Sequence, residues 1–104
     1  MSEEEINIAI AEYRGWQILE PEVHRVITYH WVIEPDGSKS ILPDCCNDLN
    51  EMREVEMTLS NEIYEEYWNQ LIFVCMNEGE ERMNSASAKL RAKAFVIIIG
   101  KWKE

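Results

Sequence analysis

Residues 25–42 decide the fold class, and they read RVITYHWVIEPDGSKSIL. From Arg25 to Ile33 the side chains alternate as in a β-strand, and because both faces carry apolar residues, we expect both to be covered. Pro35-Asp36-Gly37 is a turn signal. The chain from Ser38 to Leu42 can therefore return beside the first strand as an antiparallel hairpin, which Pro43 ends.

The chain before the hairpin predicts a helix and a short strand. Ser2 and Glu5 have the spacing of a capping box, in which each side chain satisfies a backbone donor of the other residue. Apolar residues then follow at helical spacing for two turns, and Gly15 ends the helix. Residues 16–19 form a short apolar stretch that Pro21 stops.

The chain after the hairpin predicts helices. The residues suited to cap them are Asp48 with Glu51, then Ser60, then either Ser85 or Ser87. Residues 71–76 are apolar and fit either a helix or a strand, and Gly100 stops the last helix. We therefore predict one α+β domain over residues 1–104, in which an N-terminal helix and C-terminal helices cover a small antiparallel sheet made of the hairpin and a short strand.

Composition excludes several classes of protein. With 46% hydrophobic residues the 104-residue chain is not predominantly disordered, and the longest apolar run, residues 94–99, is far shorter than the ~20 residues of a membrane helix. The first residues are acidic, unlike a secretory signal, so we expect a soluble cytoplasmic protein. Three cysteines, two of them adjacent at Cys45 and Cys46, are expected to be reduced thiols.

Charge is unevenly distributed along the chain. The net charge of −10 argues against binding long nucleic acid. Residues 1–82 hold five basic and 19 acidic side chains, a charge of −14, whereas residues 83–104 carry +4. The basic segment either pairs with the acidic helices or forms a local anion site.

Candidates for metal or acid–base chemistry are sparse. They are His24, His30, Cys45, Cys46, Cys75, and the glutamates Glu51, Glu54, Glu62, Glu65 and Glu66. The spacing of the histidines and cysteines matches no zinc motif, so we expect His30 to be packed or hydrogen-bonded and Cys75 to lie in the core. The glutamates are typical of solvated helix faces. No nucleophile, base and oxyanion donor occur together, so we predict a protein that is not an enzyme and has no cofactor or metal.

One constellation indicates anion binding at the start of the last helix. Its members are Arg82, Asn84, Ser85, Ser87 and Arg91. Free amides at a helix start attract an anion, and Arg91, one turn after Ser87, offers a planar fork for phosphate. In the alternative interpretation Asn84 and Ser87 only cap the helix, and Arg91 pairs with a glutamate.

The chain resembles a family of small phage proteins, the phage ABA sandwich domain family. The resemblance lies in residues 6–12, 15–16 and 43–52, and in the closing residues 87–95 and 99–102. It spans nearly the whole chain and implies a phage or prophage origin and an α-β-α layered domain.

The chain is also similar to the Thoeris anti-defence sponges of the first type. This similarity implies an oligomeric phage protein in the cytoplasm of the infected bacterium. Such a protein would sequester a host immune signalling nucleotide, of the cyclic ADP-ribose type or a cyclic oligonucleotide, and so block anti-phage defence. It implies that Arg91 and the turn at residues 84–87 hold phosphate, and that Arg14, Gly15 and Trp16 form a second pocket wall. The alternatives are an acidic phage protein that inhibits a host protein and a phage accessory or structural protein without a ligand.

Overall fold

The computed structural model describes residues 1–79 and 87–103 of the chain. The helices are α1 (Glu3–Tyr13), α2 (Leu49–Glu56), α3 (Asn61–Asn77) and α4 (Ala88–Ile98). The strands are β1 (Gln17–Ile18), β2 (Glu22–His24), β3 (Ile27–Tyr29), β4 (Trp31–Ile33) and β5 (Lys39–Ile41). The predicted α+β class, with helices at both ends of the chain and a small antiparallel sheet, is confirmed.

Helix boundaries follow the predicted caps. The Ser2 hydroxyl accepts the Glu5 backbone N–H, and the Glu5 carboxylate accepts the Ser2 N–H, each at 3.1 Å, so the capping box is present. These hydrogen bonds lower the pKa of Glu5. Gly15 follows α1 with φ +81°, a left-handed conformation that glycine adopts without strain. The Trp16 backbone N–H then donates to the Ala11 carbonyl, which closes the helix end.

The other predicted helix caps are also confirmed. The side chains of Asp48, Ser60 and Ser87 each accept a backbone N–H from the first turn of the helix that follows. Ser87 is thus the cap of α4. Residues 71–76 are helical because they continue α3, which extends to Asn77.

The three-stranded sheet has the order β1-β4-β5, all antiparallel. The predicted hairpin is β4 with β5, in the register Trp31↔Ile41, and β1 joins the other edge of β4 with Gln17 opposite Ile33. Val32 in the central strand is fully buried. The short strand predicted at residues 16–19 is therefore confirmed as β1.

The predicted continuous strand over residues 25–33 is wrong. Arg25 has φ +59°, and with Val26 it forms a two-residue turn that pairs β2 with β3 in a separate hairpin. His30 then separates β3 from β4. The expectation that both faces are covered also fails here, since Val26 is 96% and Ile27 is 54% exposed.

Helix α4 lies at the centre of the packing and contacts α1, α2 and α3. Its Phe95 is fully buried, with ring centroids 5.4 Å from Tyr13 and 6.3 Å from Tyr67 in edge-on arrangements. Cys75 of α3 lies in the same core, as predicted. In the part of the chain described, no helix has the length and apolar character needed to cross a membrane.

Burial lowers the reactivity of the cysteine thiols. Desolvation raises the pKa of Cys45 to about 12 and that of Cys46 to about 11. Since the thiolate is the reactive form, we expect a thiol reagent at pH 8 to label the folded protein slowly and all three cysteines rapidly in denaturant. Rapid labelling of Cys45 or Cys46 in the folded protein would contradict this burial.

Candidate functional site

A buried polar triad joins three helices. The Glu56 carboxylate, at the end of α2, accepts the Tyr67 hydroxyl of α3 at 2.5 Å and Nη1 of Arg91, from α4, at 2.8 Å. The Glu56 and Arg91 side chains are only 8% and 12% exposed. Burial and the hydrogen bond to Glu56 raise the pKa of Tyr67, so the hydroxyl stays a donor.

The triad fixes the direction of the Arg91 guanidinium. A buried carboxylate and a buried guanidinium stabilise each other, because removing one of them leaves the other charge buried, unpaired and poorly solvated. The Glu56 pairing corresponds to the alternative in which Arg91 pairs with a glutamate. It also brings Arg91 to a cavity between α2, α3 and α4.

That cavity is a depression open to solvent, with a volume of about 450 Å³. Its walls are formed by Arg53, Glu56, Met57, Leu59, Asn61, Tyr64, Trp68 and Arg91. We call it the arginine cavity. Arg53 is exposed and forms no ion pair with another side chain in the described ranges. The charges of Glu56 and Arg91 cancel, so Arg53 gives the lining a net positive charge.

An aromatic pair forms one wall of the arginine cavity. The rings of Tyr64 and Trp68, one helical turn apart on α3, are nearly parallel at 15°, with centroids 6.3 Å apart. Tyr64 is 40% exposed. A flat π-face beside a guanidinium can hold a planar base while the cation holds an anionic group.

The residues predicted for the anion site are not all brought together. Arg91 lines the arginine cavity, whereas the Ser87 hydroxyl accepts the Leu90 N–H as a helix cap and does not line that cavity. Arg82, Asn84 and Ser85 lie outside the described residues.

The second predicted wall forms a surface contact of its own. The Arg14 guanidinium lies over the Trp16 ring at 4.5 Å, and Gly15 carries the left-handed turn that ends α1. None of these three residues is among the described residues that line the arginine cavity. The structure therefore separates Arg14, Gly15 and Trp16 from Arg91.

The basic segment pairs with the acidic part of the chain, one of the two predicted possibilities. Besides Arg91, Lys89 lies 3.7 Å from Glu3, and Lys93 lies 3.1 Å from Glu78. Exposed pairs of this kind contribute about 0–1 kcal/mol each. Their main consequence is that α4 leaves little unpaired positive charge near its start.

The structure also places the other residues considered for metal binding or acid–base chemistry. His30 contacts Glu4, with Nε2 and Oε2 3.4 Å apart. Glu54, Glu62, Glu65 and Glu66 are exposed, as predicted. Glu51 is half-buried, and burial raises its pKa. Across residues 1–79 and 87–103, no group of three histidine, cysteine or acidic side chains is placed to hold a metal ion.

Sequence reasoning missed most of the arginine cavity, although a signal for it exists. Glu56 falls at helical intervals among Met52, Val55 and Leu59, so it is an acid on an apolar face. An acid at such a position indicates a buried partner, and Arg91 is that partner. Arg53 carries no comparable signal, because a surface arginine on a helix is common.

Comparisons with protein-family models, with curated proteins and with solved structures found no match for this chain. The resemblance to phage proteins therefore stays a prediction.

Proposed function

We propose that the protein is a phage-encoded, non-enzymatic binding protein that sequesters a signalling nucleotide in the arginine cavity. The observation that carries the proposal is the placement of Arg53 and Arg91 beside the parallel Tyr64–Trp68 pair in one cavity. The resemblance to anti-defence sponges supplies the ligand class, a cyclic ADP-ribose isomer or a cyclic oligonucleotide. We further propose that it acts as a homo-oligomer in the bacterial cytoplasm.

The charges of the cavity support a small anionic ligand rather than a long one. Arg53 is the only lining cation outside the neutral Glu56–Arg91 pair, among the residues described. With 20 acidic side chains in the chain, a long polyanion meets repulsion over most of the surface. A compact nucleotide can place its phosphate at the arginines and its base on the rings.

Thermal shift with a nucleotide panel tests the proposal. The panel contains cyclic ADP-ribose isomers, ADP-ribose, ADP and cyclic dinucleotides. A ligand that binds only the folded protein stabilises it by about 2.7 kcal/mol at 100 times its Kd, which raises the Tm of a domain of this size by roughly 10 °C or more. A panel without any Tm rise overturns the proposal.

Two arginine variants locate the site. We expect Arg53→Ala to remove most of the ligand-induced Tm rise, since it deletes the unpaired cation but leaves the buried triad intact. Arg14→Ala is the matched control because Arg14 lies outside the cavity, over Trp16. The opposite pattern, with binding lost in Arg14→Ala and kept in Arg53→Ala, would place the ligand elsewhere.

A further inference from the structure

A second cavity adjoins the arginine cavity on the outer face of α3. It has a volume of about 480 Å³ and is lined by Asn61, Tyr64, Glu65, Trp68 and Asn69. Asn61, Tyr64 and Trp68 line both cavities, so the aromatic pair forms their shared boundary. We call the second one the amide cavity.

The amide cavity differs from the arginine cavity in its chemistry. Besides the two rings of the aromatic pair, its lining consists of two amides and the Glu65 carboxylate, with no cation among the described lining residues. Glu65 would repel a phosphate, whereas carboxylate and amide oxygens accept hydrogen bonds from hydroxyl groups. In the described structure the side chains of Glu65 and Asn69 make no hydrogen bond or ion pair, so both are free to receive such donors.

We infer that the ligand spans both cavities and that the amide cavity binds its ribose hydroxyl groups. This inference rests on the proposed function and assigns each part of the nucleotide to one set of lining residues. The anionic group lies at Arg53 and Arg91, the base packs on the Tyr64–Trp68 pair, and the neutral diol donates hydrogen bonds to Glu65 and Asn69. No bond is formed or broken.

Calorimetric titration of the full chain with ADP and with 2′,3′-dideoxyadenosine 5′-diphosphate tests the inference. The two probes carry the same base and phosphates and differ only in the hydroxyl groups. We expect ADP to bind about tenfold more tightly, as loss of hydrogen bonds to a charged acceptor implies. Equal affinities, or no binding of ADP, would overturn it.

Substitution of the acceptor distinguishes hydrogen bonding from general charge. In Glu65→Ala the affinity ratio between the probes should fall close to one, because only ADP loses hydrogen bonds. If Glu65 acted only by repulsion, its removal would strengthen both probes equally and leave the ratio unchanged. Glu66→Ala is the control, since Glu66 is exposed on the same helix and lines neither cavity.

The outcomes separate this inference from the proposed function. If the two probes bind equally, a nucleotide site at the arginine cavity is still supported, but the proposed contact with the ribose is overturned. Failure of ADP alone, with a Tm rise from another nucleotide of the panel, also removes only the inference. If no nucleotide of the thermal-shift panel raises the Tm, both the proposed function and this inference are overturned.

Discussion

Replacing Glu56 with alanine is expected to lower the free energy of unfolding by about 3–5 kcal/mol, because it deletes the buried partner of Arg91 and Tyr67. The Arg91 side chain is only 12% exposed, so water replaces the lost carboxylate poorly. Domains of this size are stable by about 5–15 kcal/mol, and the loss is therefore a large share of the total. Urea denaturation followed by circular dichroism measures it.

A second pair of variants tests the cause of this loss. Glu54→Ala makes the same change on an exposed side of α2 and should alter stability by less than about 0.5 kcal/mol. In the double variant Glu56→Leu with Arg91→Leu no unpaired charge is left, and part of the lost stability should return. If Glu56→Ala costs no more than Glu54→Ala, the triad does not hold the three helices together.

Phe95→Ala is expected to cost about 3–5 kcal/mol, since the ring is fully buried where α4 meets α1 and α3. The lost contacts include the edge-on packing of Phe95 against Tyr13 and Tyr67. Phe73→Ala is the matched control, because Phe73 is 61% exposed and its removal opens no cavity in the core. Urea denaturation of both variants should show a small effect for Phe73, and a similarly small effect for Phe95 would contradict the central packing of α4.

The caps and stops were predictable because they depend on a few neighbouring residues. Ser2 with Glu5, and Gly15, act within one or two turns of the helix that they bound. The β4–β5 hairpin was predictable for the same reason, since Pro35-Asp36-Gly37 contains residues that favour a turn. Local chemistry of this kind leaves a clear pattern in the sequence.

The β2–β3 hairpin was not predictable from the same rules. Its turn is made by Arg25 and Val26, neither of which is typical of a turn, and Arg25 adopts φ +59°. Alternation of side chains continues through such a turn, so residues 25–33 have the pattern of one strand although they contribute to two sheets. Only the pairing of strands reveals the break.

The candidate site was predictable only in part. Arg91 was identified from its charge and its place in α4, but its direction depends on Glu56, 35 residues away in the chain. Tyr64 and Trp68 lie in an apolar helical stripe that is typical of core, and only the packing of α2 shows that they also line a cavity. Contacts between distant segments decide these features, and one sequence alone does not contain them.

Calorimetric titration of the protein with each cyclic ADP-ribose isomer and each cyclic dinucleotide of the panel, followed by chromatography of the recovered ligand, tests the central claim most directly. The account predicts saturable heat with a fixed stoichiometry, recovery of the nucleotide unchanged, and loss of the heat in Arg53→Ala but not in Arg14→Ala. Absence of heat with every one of these nucleotides, or conversion of a bound nucleotide to a product, would contradict it.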